Sequence, residues 1–446
     1  MSGFRTVTRI VRACVPAAAG LALLAHALPA GAQPAPAAAA DPAPGAAEAP
    51  AGGGSSWAPD FSLRGSYWSS DRELTRDPPA GAGTLWLRMQ PALSSRWTLK
   101  LEGWVSSQPA LRNVDAPAEL RDGYLAYLGD SLEVRAGRQV VAWGRADALN
   151  PTDNLGARNF RLLFPNDDEQ RLGTGMVQAS YPVLGAVVSV YWIPEFRANI
   201  YPVPPLPPGV RVSPDRQPDN TSQGALRIDR GGGAVDWSVS YYDGLDHAGD
   251  LALDSVSAQG PVVQRRFHRI RVAGADAATT LGRFGLRAEV AHTWSEDPDG
   301  TDPSVKNDFL YAVAGADRTF FQYLNVNVQY IYRETSRWTD PLAIANPVTR
   351  ALALQNAVTS FQRHRVENGA SLRVSNQWLN ETLETELAGV WFFQDEGSVV
   401  QPKIIYKATD TLRITASAQV FSGPDGSFFG LQKDNSTTYL EVRWGY

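Results

Sequence analysis

The sequence predicts an all-β fold: a transmembrane antiparallel β-barrel of about 18 strands, with short periplasmic turns and long extracellular loops. Sixteen strands are possible if the weak hairpin at residues 219–243 is misread. Three observations predict this fold. Segments of about 10 residues alternate apolar and polar side chains with period two. Their connections alternate between tight turns and long polar loops. No segment beyond the amino terminus offers about 18 uninterrupted apolar residues, and the mean hydropathy is −0.24, which argues against membrane helices. A barrel escapes such averages, because only alternate residues face lipid.

The elements follow in order. Arg5, Arg9 and Arg12 form a positive stretch, an apolar run follows from Val15 to Leu28, and Ala30-Gly31-Ala32 is an A-x-A-like cleavage site. Residues 1–32 therefore read as a secretory signal peptide, too short in its apolar part to span a bilayer. Cys14 is the one cysteine, so cleavage leaves a chain without thiols or disulfides. Residues 33–56 are almost entirely Ala, Pro, Gly and Ser and read as a disordered periplasmic linker. Residues 57–446 form the barrel.

Within it, Trp97, Leu99, Leu101 and Val105 share one strand face, opposite Thr98, Lys100 and Glu102. Phe284, Leu286, Ala288, Val290 and Trp294 oppose Arg283, Arg287 and Glu289. Leu324, Val326, Val328, Tyr330 and Tyr332 alternate with Asn325, Asn327 and Gln329. Tight turns fall at Ser94-Ser95, Gly129-Asp130, Gly231-Gly232-Gly233 and Thr409-Asp410; residues 143–170, 194–218, 243–263 and 334–360 form long loops. The last segment sets Leu440, Val442, Trp444 and Tyr446 against Tyr439, Glu441 and Arg443. An apolar aromatic edge strand invites aggregation in water, whereas a closed barrel pairs it with the first strand. This last strand resembles the carboxy-terminal signature of bacterial outer-membrane proteins. It implies outer-membrane lipid as surroundings and the barrel assembly machinery as a partner.

Lys and Arg number 41 against 46 Asp and Glu, an acidic balance that argues against a nucleic-acid partner. The polar strand faces carry Arg135, Arg269, Arg271, Arg283, Arg287, Glu289, Arg365, Glu367, Arg373 and Arg413 as candidate pore-lining residues. On the lipid face a midplane Arg would cost about 2–4 kcal/mol, so these charges are expected in a wet or densely paired interior. Rings of arginine can select anions. The interleaved carboxylates can instead pair with them and stiffen the wall.

The stretch from Gly137 is the most distinctive. Gly137-Arg138-Gln139 ends a strand, Trp143-Gly144 follows, then Asn150-Pro151-Thr152-Asp153. The loop is long enough to be functional. Arg145, Asp147, Asp153, Arg158, Asp167 and Asp168 suit a loop folded against the wall or into the lumen, where it would constrict a pore. These motifs resemble uncharacterised proteobacterial outer-membrane barrels, which in turn resemble the alginate-export-like porin group. The resemblance implies a passive conduit of large barrel size. In that group a basic lumen accepts an anionic polysaccharide, a role open here to Arg135, Arg269, Arg271, Arg283, Arg287 and Arg365. A conduit leaves room for a periplasmic or inner-membrane transport partner.

Other chemistry is thin. Gly129-Asp130-Ser131-Leu132 spells a lipase-like tetrapeptide in a tight turn, without the strand–turn–helix a nucleophile needs. His247, His268, His292 and His364 are scattered and lack paired metal spacing. Residues 297–302 surround Gly300 with acidic groups but lack the closing Glu of a calcium loop. The expectation is a channel for hydrophilic solutes, anionic ones among them, or polymer, without catalysis, cofactor or metal. Two alternatives stand: a barrel enzyme with a rim site at His247 or His292, and a loop-mediated adhesin or receptor. The Pro-rich loop at residues 194–218 would suit a rigid lid or docking arm.

Overall fold

The computed structural model describes residues 57–71, 79–108, 117–147, 149–201 and 209–445. The expected signal peptide, the linker and residues 202–208 of the Pro-rich loop lie outside them. The strands in chain order are β1 (Asp60–Trp68), β2 (Ala80–Met89), β3 (Trp97–Ser106), β4 (Ala118–Leu128), β5 (Glu133–Gln139), β6 (Thr174–Val183), β7 (Ala186–Ile193), β8 (Arg211–Val212), β9 (Gln223–Arg230), β10 (Val235–Leu245), β11 (Asp250–Ser257), β12 (Gly260–Arg266), β13 (Arg269–Leu281), β14 (Phe284–Trp294), β15 (Phe309–Phe320), β16 (Leu324–Thr335), β17 (Val366–Trp378), β18 (Leu383–Phe392), β19 (Gly397–Lys407), β20 (Leu412–Ser422) and β21 (Thr437–Gly445).

Eighteen of these form one antiparallel sheet, and β8, β11 and β12 form a separate small one. The large sheet closes on itself. β1 pairs with β21 from Ser62↔Gly445 to Trp68↔Tyr439, as well as with β2. Closure satisfies every ladder without leaving an edge, which a sheet in hydrocarbon requires.

The outer wall follows the apolar register of the sequence. Leu63, Tyr67, Leu85, Leu87, Val105, Val190, Val239, Val290, Val328, Val400, Ile404 and Val442 are exposed although apolar. Aromatic side chains gather near both rims: Trp97, Phe284, Trp378, Tyr406 and Trp444 at the turn end, Trp192, Trp294 and Trp391 at the loop end. At the turn end the guanidinium of Arg318 lies over Phe284 and Phe320, 4.9 and 4.7 Å from the ring centres. Tight turns follow their local chemistry. Leu184 and Gly185 both take positive φ, 50° and 79°, the backbone a two-residue hairpin needs.

Two elements inside loops depart from the sequence expectation. The long loop expected at residues 243–263 holds the β11–β12 hairpin and runs on to residue 268, just before β13 begins. The loop 336–365 holds a helix, Pro347–Thr359, capped by Asn346, whose side chain accepts from Val348 N and Thr349 N. Its period does not stand out in the sequence, because apolar Val348 and Ala351 are exposed while polar Asn356 is buried against β11, its Oδ1 accepting from Leu251 N at 2.8 Å.

Candidate functional site

The loop at residues 140–173, the inner loop, lies within the wall and reaches both sides of it. One end is bound to β14. Glu289, only 2% exposed, accepts from Thr152 N at 2.7 Å, Thr152 Oγ1 at 2.8 Å, Arg145 N at 3.1 Å and Ala146 N at 3.2 Å. Gly144 allows this approach: its φ is +100°, and a Cβ there would stand 2.5 Å from Glu289 Oε2. Arg145 then reaches Asp229 at 2.9 Å and Asp276, while Arg227 reaches the same two carboxylates at 3.1 and 3.2 Å. Apolar packing joins Trp143 and Leu155 to the inward face of the wall at Met176, Tyr191, Tyr242, Ile270 and Val272.

The far end of the loop docks on the wall half-way round the closed sheet. Leu162 and Phe164 pack on Trp86 and Trp104, and Leu163 packs with Trp68 and Tyr439. Gln108 clamps the Leu163 backbone, accepting from its N–H at 2.7 Å and donating to its carbonyl at 3.3 Å. Glu169 pairs with Arg64 at 2.7 Å. Between the two ends, Asp153 holds Arg171 at 2.7 Å and Arg158 at 3.5 Å, and accepts from Trp143 N at 3.2 Å. Asp147 lies 3.5 Å from Arg373 of β17. Asp168 is exposed and meets Arg171 at 3.2 Å. The side chain of Asp167 lies outside the described residues.

Of the strand residues singled out from the sequence, Arg135, Arg287, Glu289, Glu367, Arg373 and Arg413 share the parity of the inward face. Arg135 pairs with Glu133 at 2.6 Å, Arg287 stands 3.6 Å from Asp317, and Arg373 reaches Glu386 at 2.7 Å. Four sit otherwise. Arg269 and Arg271 alternate with the inward Ile270 and Val272, so they face outward near the loop-end rim, with Asp243 at 2.6 and 3.7 Å. The wide loop-end rim tolerates this, because the penalty for charge falls toward the interface. Arg283 occupies the two-residue turn between β13 and β14 and is exposed, because the strand ends at Leu281. Arg365 stands at the rim before β17 and meets Glu334 at 3.1 Å.

The turn-end half of the lumen contains what the sequence reading weighed least. Lys407, Arg413, Arg443 and Arg64 are successive cross-strand partners on β19, β20, β21 and β1. All four have inward parity. Arg64 is held by Glu169, whereas Lys407, Arg413 and Arg443 make no ion pair within 4 Å among the described residues. They border a cavity of 1060 Å³ between the wall and the inner loop, which Asp168, Glu169 and Asp410 also line. Alternation along the strands already puts Arg64, Lys407, Arg413 and Arg443 on polar faces in the sequence; their alignment into one row required the register.

The histidines at the rim have structural surroundings. His247 is buried, with Nδ1 2.6 Å from Arg197 O and Nε2 3.2 Å from Asn154 O. His292 has outward parity and lies against Trp294, ring centres 4.4 Å apart and tilted by 46°. The lipase-like tetrapeptide is a tight turn closed by Gly129 N donating to Leu132 O.

A closed 18-stranded antiparallel barrel with an apolar outer belt and a long loop folded inside is the architecture of outer-membrane porins. The chain belongs to the family described as protein of unknown function (DUF1302), whose model matches residues 58–370. Its fold is similar to solved structures of Pseudomonas aeruginosa OccD3 (OpdP), at 9% identity and TM-score 0.51 over 88% of this chain and 92% of that one. It is likewise similar to Acinetobacter baumannii OccAB1, at 9% identity and TM-score 0.51 over 87% and 95%. For Pseudomonas aeruginosa OccK5 (OpdH) the values are 10% and 0.51 over 87% and 97%. No curated protein matches the sequence. These likenesses establish the fold.

Proposed function

We propose that the barrel is an outer-membrane channel for hydrophilic anionic solutes, narrowed by the inner loop and guided by a row of cations at its turn end. The observation that carries this reading is the row Lys407–Arg413–Arg443–Arg64. Like charges directly across a strand pair repel, so the row is unfavourable when no anion is near. Three of its members make no ion pair among the described residues and face the 1060 Å³ cavity, where a solute carboxylate, phosphate or sulfate would relieve the repulsion. Other wall cations are matched by carboxylates, as Arg135, Arg227 and Arg373 are, or lie over aromatic rings, as Arg318 and Arg333 do.

The likeness to alginate-export-like porins would make the solute an anionic polymer. The acidic groups along the cavity favour shorter anions, which meet the row without passing a long run of carboxylates. On this reading the turn end opens to the periplasm, where a transport partner could deliver solute. The surrounding lipid covers the apolar belt, and β21 is the strand read by the assembly machinery. The proposal assigns no catalytic step and no cofactor.

The test is the reversal potential of single channels in asymmetric salt. The wild type should prefer anions, and the Arg413→Glu, Arg443→Glu pair should shift the preference toward cations. Arg283→Glu, in the turn beyond the wall, should leave selectivity unchanged. A double variant as anion-selective as the wild type would remove the row from the permeation path.

A further inference from the structure

At the loop end, three metal-binding side chains converge that no part of the channel reading uses. His364 precedes β17, Glu367 is the second residue of that strand, and Asp395 lies in the connection from β18 to β19. One ligand atom from each lies within 4.8 Å of the others. His364 Nε2 is 3.2 Å from Asp395 Oδ1, and Glu367 Oε1 accepts from His364 N at 3.1 Å.

Glu367 gives the cluster its interest. It is 2% exposed, yet no cation stands within 4 Å of its carboxylate among the described residues. A buried carboxylate without a paired charge is costly, and metal coordination is one of the few remedies. Its cross-strand neighbour Arg333 is engaged elsewhere, stacked on Phe309 at 3.7 Å. Phe361, three residues before His364, packs against Phe392, three residues before Asp395, and against Phe428.

We propose that His364, Glu367 and Asp395 form a site for a divalent transition metal that pins the loop 336–365 to the connection at residues 393–396. One imidazole nitrogen with two carboxylate oxygens suits zinc and its neighbours rather than calcium, which takes oxygen ligands. Bonds of about 2.0–2.2 Å would draw the three atoms closer than they now stand. His364 is half-exposed and Asp395 sits in a short connection, so both can move onto the fixed Glu367. Arg363 lies 3.3 Å from Asp395 Oδ1 and also donates to Gly426 O. When Asp395 turns toward a metal, Arg363 can keep its hydrogen bond to the Gly426 carbonyl.

The experiment titrates the refolded full-length barrel, stripped with chelator, with Zn²⁺ and separately with Ca²⁺ by calorimetry. Heat-modifiability on gels verifies folding of each variant. The wild type should bind one Zn²⁺ saturably and Ca²⁺ far more weakly. His364→Ala and Asp395→Asn should each weaken Zn²⁺ by about tenfold or more, while His268→Ala binds as the wild type does. Absence of saturable Zn²⁺ binding, or wild-type binding by folded His364→Ala and Asp395→Asn, would overturn the proposal. Neither outcome depends on what the lumen conducts.

Discussion

Lys306 shows how single residues hold the loop end together. It is buried, in contact with Asp246 and 3.9 Å from Asp250. Burial pushes the Lys306 ammonium down, but the two carboxylates outweigh it and hold its pKa above the ordinary lysine value. Burial pushes Asp246 up, and Lys306 more than reverses this, leaving it below the usual carboxylate range. For Asp250 burial prevails over Lys306, helped by Asp246, and its pKa is raised. The signs follow by linkage. The Lys306 contribution is complete below about pH 10.4 and is lost as pH rises through its raised value. The Asp246 contribution is present above about pH 3.9 and is lost as pH falls through its lowered value. Asp250 opposes folding once pH exceeds the ordinary carboxylate range. Proteolysis of the loops should therefore accelerate at strongly alkaline pH before the barrel opens. Lys306→Met, which strands two buried carboxylates, should destabilise this cluster by about 3–5 kcal/mol and bring the same loop cleavage at neutral pH. Unchanged protection would show the triad to be incidental.

Among the elements, the inner loop owes its position to two unlike anchors. One is polar, the Glu289 carboxylate cradled by backbone N–H groups, and the other is apolar, Leu162–Phe164 against indoles. Gly144→Ala attacks the first, since its Cβ would collide with Glu289 and the residue would carry φ +100°. A cost of about 1–3 kcal/mol is expected from the backbone alone. The barrel should still fold while the loop loosens, and single-channel conductance should rise or become noisy. Conductance identical to the wild type would mean that this end does not limit flow. The existence of this loop was legible in residues 143–170, whose length and mixed charge set it apart. Its docking site was not. Leu162-Leu163-Phe164 is too short to show a period, and its partners lie on β1–β3 and β21, far away in sequence. The helix Pro347–Thr359 was hidden for a related reason: its burial against β11 rests partly on a polar residue, Asn356, whose partner lies 105 positions away.

At the scale of the molecule, closure between β1 and β21 makes the other pairings useful. Deleting residues 437–446 would expose the ladder edges of β1 and β20 to hydrocarbon, where unsatisfied backbone groups cost several kcal/mol each. The truncated chain should give no heat-modifiable band on refolding, at any lipid composition that folds the full chain. A folded truncated barrel would show that closure can pass through other strands.

The sequence by itself determined the strand number, the turn and loop ends, and which face of most strands meets lipid. Those properties follow from alternation and turn chemistry, which are local, and lipid punishes any slip of one residue. The tertiary structure decided which charges are neutralised and which are left to meet a solute. Arg269 and Arg413 look alike in sequence, yet one pairs with Asp243 outside the wall and the other stands unpaired in a row of cations within it. Register and loop docking set that difference. Electrostatic energy depends on distances of a few ångströms between residues hundreds of positions apart, which no local pattern encodes.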